Sequence, residues 1–277
     1  LARLTKAEAK AHAEAELLLK KPRWDDDDRL FFTQNWQESA NHVNSAAGAF
    51  FTPLDLAVDF AMEVGGGALV DLCAGIGTLT YAVTYRQRYS QYAKATYLVC
   101  IELNPAYVEI GKLMVPDAQW ICGNVFEELP KLRSRFSTAI SNPPFGNIKA
   151  AGGSPRYTGS KFEYKVIDLA ADFADAGAFI VPAMSAPFKY SGRPFFDQSE
   201  QLPEYQKFVK QTGIELCSGI GIDTTLYSQW HGVNPSTEVV VTDFSERVNP
   251  GLQPVSVCAP AQIIDVPGDE PDLDTLF

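Results

Sequence analysis

A chain of 277 residues with 46% hydrophobic content can bury a full core, and no apolar run approaches the roughly 20 residues of a membrane-spanning helix. Its formal charge of −11 excludes a uniformly basic nucleic-acid binder, and the start lacks the charged head, apolar centre and cleavage site of a signal peptide. Five cysteines without two-residue spacing and three scattered histidines exclude a zinc knuckle, so a soluble cytoplasmic protein without metal or membrane is expected.

Residues 3–20 are dense in strong helix formers and predict a helix ending before Pro22; a second is expected over 29–45. Together they form an amino-terminal helical extension, 1–45. AGAFFTPLDLAVDFAMEV then predicts a helix with Thr52 as cap, Pro53 in the first helical position, and Leu54, Ala57, Val58 and Ala61 on one face. From residue 68 short apolar strands alternate with helical segments, the signature of a parallel sheet covered on both faces. Strands are expected at 68–73, 95–102, 118–122, 136–141, 177–183, 214–220 and 237–244, with helices near 77–90, 105–115, 126–133 and 162–176. The last two strands leave no room for a helix between them, so they should pair antiparallel. The expected fold is α/β, a Rossmann-like, doubly wound, mostly parallel seven-stranded sheet with an antiparallel final hairpin, over 46–245. Residues 185–212 predict an insertion on the substrate side, and 246–277 an irregular acidic tail.

DLCAGIGTLT places Gly75 and Gly77 between a strand and a helix, where missing side chains let backbone amides approach a ligand. The next strand ends in CIELNP, which puts Glu102 beside that turn, where an acid can accept two hydrogen bonds from a ribose. The third ends in ICGNVFEEL and supplies Asn124 at the same edge. Three strand ends thus converge on one crevice, where open α/β sheets bind ligands.

In their order along the chain, FFTP, DLCAGIG, IELNP, GNVFE and SNPPFG resemble the class I S-adenosylmethionine-dependent methyltransferases, in the branch that methylates the N6 amine of adenine. The resemblance covers residues 46–183 and implies S-adenosylmethionine as cofactor and DNA as partner. By it, Phe51, Thr52 and Pro53 close over the methionine end. Asp71, Ala74, Gly75 and Gly77 line its carboxylate, amino and sugar region; Glu102 binds the ribose, and Leu103 packs on the adenine. Asn124, where the family usually carries aspartate, accepts from the cofactor's exocyclic amine beside Val125.

Asn142 precedes a proline, so it must finish its strand extended, and Pro143 and Pro144 then fix two φ angles and contribute no N–H. What remains is a stiff corner of acceptors, the Asn142 oxygen and the Pro143 carbonyl, suited to holding both hydrogens of a conjugated amine; Asn142 also borders the cofactor. Phe145 offers a face on which a flipped base could stack. Downstream, Lys149, Arg156, Lys161, Lys165, Lys189 and Arg193 gather positive charge, with Arg156 and Lys161 expected to touch phosphate or flipped nucleotide. Alternatives stay open: a ribosomal or transfer RNA base methyltransferase, a protein glutamine N5-methyltransferase (whose branch more often has tyrosine at Phe145), or a cofactor-binding module without turnover. No stretch is long enough for a large sequence-reading domain, so a partner subunit for target recognition is also open.

Overall fold

Strands and helices alternate as the apolar pattern demands in the computed structural model, which describes residues 4–37, 50–88, 94–146, 153–198, 202–227, 230, 235–247 and 251–254. The strands β1 (Gly67–Leu72), β2 (Ala95–Glu102), β3 (Gln119–Cys122), β4 (Ser134–Ser141), β5 (Ala174–Pro182) and β6 (Thr237–Asp243) lie in the order β3-β2-β1-β4-β5-β6. All neighbours are parallel except β5 and β6. The order reverses between β1 and β4, which opens a crevice at their carboxyl ends. In register, Asp71 lies opposite Cys100 on one side and Ile140 on the other, and Glu102 opposite Cys122, so the strands end level around that opening.

Between the strands run α4 (Thr78–Arg88), α5 (Pro105–Met114), α6 (Val125–Lys131) and α7 (Phe162–Ala170), with α8 (Pro203–Thr212) after β5 and α1 (Lys6–Leu18), α2 (Asp26–Asn35) and α3 (Leu54–Phe60) ahead of β1. Two apolar cores result. Val70, Leu72, Val99, Ile101, Phe179 and Val181 point to the face covered by α6, α7 and α8, while Leu69, Leu98, Ala178 and Ile180 point to the face covered by α1 to α5. Both faces are dry, which is why these strands read as apolar runs rather than as alternation.

The seventh expected strand is corrected. In 214–220 only Cys217 pairs with the sheet, through an antiparallel bridge to Val241, because Gly219 and Gly221 take φ of 56° and 79° and turn the chain away. A two-residue β7 (Gln253–Pro254) pairs with β4 instead, inside what was expected to be irregular tail; residues 255–277 lie outside the described residues. The second helix ends at Asn35, not 45, since Trp36 turns extended to enter an aromatic cluster. Residues 185–212 are more regular than expected: α8 starts with Pro203 in its first turn and stops at Gly213, φ 65°. Thr52 does not cap α3. Pro53 occupies the cap position without a side-chain bond, and the Thr52 hydroxyl is used elsewhere.

One close approach fixes how α5 sits on the sheet. A Cβ on Gly111 would lie 2.1 Å from the Trp120 ring, whose Nε1 donates to the Val115 carbonyl at 3.1 Å. Helix propensity would favour Gly111→Ala by about 1 kcal/mol, but overpacking a rigid indole costs about 1–3 kcal/mol. The variant is therefore expected to melt a few degrees below wild type in a calorimetric scan; an unchanged or higher Tm would contradict this packing.

Candidate functional site

The crevice at the β1/β4 switch is lined by Phe51, Thr52, Asp71, Ala74, Gly75, Glu102, Asn142 and Pro144, all expected from the sequence. Phe50, Cys73, Thr78, Leu79 and Tyr107 line it as well and were not expected. All five lie in or beside the motifs FFTP, DLCAGIGTLT and IELNP, so adjacency was the available signal.

The turn after β1 is wound tightly. Cys73, Gly75 and Gly77 have φ of 63°, 57° and 86°, and the Gly77 N–H donates to the Ala74 carbonyl at 2.8 Å. Glu102 pins it: one carboxylate oxygen accepts from Gly75 N–H at 2.8 Å and the other from Asn104 N–H at 2.8 Å. Burial pushes the Glu102 pKa up, opposed by hydrogen bonds from the Asn104, Gly75 and Leu103 amides. Each oxygen retains a further lone pair for a hydroxyl donor.

Asp71 sits deeper, 1% exposed, with one oxygen accepting from Thr80 Oγ1 at 2.7 Å and the other without a partner. Burial drives its pKa up to about 7; the Thr80 hydroxyl offsets part of this and the Glu102 charge adds to it. Burial also lifts the Cys73 thiol well above its ordinary value, which favours its protonated form.

Asn142 projects from the end of β4 with its amide orientation fixed. Nδ2 donates to the Phe50 carbonyl at 2.9 Å and to Thr52 Oγ1 at 2.9 Å, while Oδ1 is buried and has no partner. An unsatisfied buried acceptor costs about 1–3 kcal/mol, and among the described residues only four side-chain atoms are in this condition. Two of the four, on Asp71 and Asn142, belong to this crevice. Pro143 is buried behind the corner, and Phe145, half-buried, leans on Phe50 at 5.7 Å between ring centroids. Glu163, fully buried and not singled out from the sequence, accepts from Gly146 N–H at 3.3 Å and Ser185 Oγ at 2.7 Å, which anchors the corner's far end.

The remaining expected residues are more scattered. Leu103 is 69% exposed at the end of β2. Asn124 caps α6, its side-chain oxygen accepting from Phe126 N–H at 3.1 Å, and the Val125 side chain is in the core. Phe51 lies over the turn, its ring 3.0 Å from where a Gly75 Cβ would be, and packs on Tyr107 and on Trp36 at 5.0 and 5.6 Å. Arg156, expected to touch phosphate or flipped nucleotide, has its guanidinium engaged by carboxylates instead. Its Nε and Nη1 pair with Asp168 and Asp172 at 2.6 and 2.7 Å, and Nη2 donates to the Asp168 carbonyl, so its donors brace α7. Lys161 occupies the N-cap position of α7 without a side-chain capping bond, its ammonium 3.6 Å from Met184 Sδ, and Lys149 lies outside the described residues. Among the described residues no cluster of three or more His, Cys, Asp or Glu could hold a metal, and no helix is long and apolar enough to cross a membrane.

No family model and no curated protein matches the sequence. Solved structures do share the fold. A protein of Listeria monocytogenes assigned as a class I S-adenosylmethionine-dependent methyltransferase is 11% identical with a TM-score of 0.55, over 91% of this chain and 83% of that one. The type IIG restriction endonuclease BpuSI is 12% identical with a TM-score of 0.51, over 78% of this chain and 28% of that one. The protein of the DrdV–DNA complex is 12% identical with a TM-score of 0.50, over 81% and 30%. This chain thus spans under a third of the last two, and at such identities the likeness is one of backbone architecture.

Proposed function

We propose that the chain is an S-adenosylmethionine-dependent methyltransferase that acts on the exocyclic N6 amine of adenine in DNA. The observation that carries this reading is the Asn142 amide: both its N–H groups are taken by Phe50 and Thr52, which leaves a buried, oriented and unpartnered oxygen at the crevice. Only a donor can satisfy it. An amine conjugated to a ring brings two N–H donors and a lone pair withdrawn into the ring; acceptors on those hydrogens favour a pyramidal nitrogen with the pair turned outward. The corner does this without reorganising, since Pro143 and Pro144 hold its backbone.

The residues at the glycine turn fit the proposed cofactor. Its ammonium matches the unpartnered Asp71 oxygen, its ribose hydroxyls the spare lone pairs of Glu102, and its adenine the exposed Leu103 surface. When bound, it supplies an electrophilic methyl on sulfur. The Asn142 corner would hold the amine while its nitrogen accepts that methyl group in place of sulfur, and the proton released would pass to water. No strong base is needed, because the methylated nitrogen is a far stronger acid than the amine. Label transferred from the methyl-tritiated cofactor to duplex DNA, recovered as N6-methyladenine, is the expected result. Label in RNA or in protein glutamine would displace the substrate, and tight cofactor binding without label anywhere would displace the enzyme reading.

Asp71 makes the binding pH-dependent. Its folded-state pKa, about 7, lies above its unfolded value, so the proton it holds stabilises the fold at low pH, and that contribution is lost as pH rises through 7. A cationic ligand prefers the ionised form. Affinity for S-adenosylhomocysteine, which keeps the ammonium, should therefore rise between pH 6 and 8 by up to about tenfold per unit, the limit set by release of one proton. Asp71→Asn should flatten that profile, weaken binding at pH 8, and raise the Tm of the free protein there. Titration calorimetry across pH tests it; a flat wild-type profile would refute the assignment.

A further inference from the structure

A second feature beside the crevice is built for a partner. After β5 the chain forms a hairpin closed by Lys189 and Asp197, which exchange backbone hydrogen bonds of 2.8 and 3.0 Å. Its turn is held rigidly. Glu238, 2% exposed, accepts from Tyr190 N–H, Ser191 N–H and Ser191 Oγ at 2.9, 3.0 and 2.8 Å, and Gly192 N–H donates to Asp223 at 2.9 Å. On this braced mount Phe195 is 70% exposed, and Phe196 stacks on the buried Phe188 at 5.2 Å. Lys189 and Arg193 flank it, exposed and without an ion pair among the described residues, on a chain whose net charge is −11. With Phe196 itself 40% exposed, the two rings make an apolar patch rimmed by cations, the kind of surface that marks an interaction site.

The hairpin is tied to the proposed site through one buried side chain. Glu163 holds both Gly146, at the end of the Asn142 corner, and Ser185, where the chain leaves β5 toward the hairpin. A cavity of about 310 Å³ beside the hairpin is lined by Met184, Phe188, Lys189 and Arg193, with the carboxylates of Asp197 and Glu238 also on its wall. We infer that this hairpin is the surface that grips the DNA strand beside the target base, with Phe195 against a neighbouring base and Lys189 and Arg193 on phosphates. The inference rests on the proposed adenine methyltransferase reading. Exposed ring and flanking cations together match a polyanion that carries flat faces.

The test measures anisotropy of labelled duplex DNA, with competing RNA, from low to moderate salt, together with S-adenosylhomocysteine affinity and methyl transfer. Phe195→Ala should weaken duplex binding about tenfold at unchanged salt slope. Lys189→Ala with Arg193→Ala should reduce the slope of log K against log salt by about 1.8, at about 0.9 for each phosphate no longer neutralised. Unchanged S-adenosylhomocysteine affinity in both variants shows that the fold is intact. Variants that bind DNA as wild type does, a wild type that binds none, or RNA that outcompetes DNA tenfold would each overturn the inference. If hairpin-dependent DNA binding appears and no adenine is labelled, the methyl-transfer reading fails and the surface stands. If adenine is labelled as fast by Phe195→Ala at sub-saturating DNA, the surface fails and that reading stands.

Discussion

Asn142→Ala is expected to lower turnover by about 10²–10³-fold, the scale seen when one preorganised polar contact to a reacting group is removed. Affinity for S-adenosylhomocysteine should stay within severalfold, because Glu102 and Asp71 are untouched. The loss belongs in kcat, since the oxygen matters most as charge develops on the amine. Asn142→Asp should recover little: the new oxygen would replace a donor that now sits 2.9 Å from the Phe50 carbonyl, setting two acceptors face to face. Single-turnover rates with saturating cofactor measure this, and retention of wild-type turnover by Asn142→Ala would end the proposed role of the corner.

Glu102→Ala should fail in the opposite way. The carboxylate holds Gly75 and Asn104 through charge-assisted bonds and is proposed to hold two hydroxyls besides. Bonds to charged groups contribute about 1.5–3 kcal/mol each, so losing even one of the proposed pair weakens cofactor binding by at least about tenfold, and losing both by about 10²-fold or more. The glycine turn also loses its anchor. At saturating cofactor, kcat should remain within severalfold, because the acceptor corner on β4 is intact. Equilibrium binding of S-adenosylhomocysteine is the measurement, and a Kd within twofold of wild type would remove Glu102 from the cofactor site. A double variant with Asn142→Ala should show near-additive losses if binding and chemistry are divided as described.

The parts of this site legible in the sequence are those whose backbone is dictated locally. Asn142 before two prolines has one extended option, and Gly75 and Gly77 between a dry strand and a helix have few uses beyond a tight turn. Strands β1 to β6 were legible because both faces of the sheet are covered, so burial left uninterrupted apolar runs. What was misread depends on partners far along the chain. Arg156 looks like a free cation beside glycines; Asp168 on α7 and Asp172 just past its end capture it, and nothing at residue 156 signals that. Thr52 has the composition of a cap, yet its hydroxyl faces Asn142, 90 residues on. The run at 214–220 has strand-like composition, but its glycines end the pairing after one bridge. Glu163 carried no local mark at all, since its meaning comes from Gly146 and Ser185 closing on it from two different loops.

The stretch from Phe50 to Thr52 supports the Asn142 amide and at the same time covers Gly75. The two proposed guests would therefore lean on one strap. Whatever affinity the sulfur-bearing guest lends to the amine by settling that strap, the amine must lend back in equal measure, so dissociation constants taken in either order of mixing close to the same product.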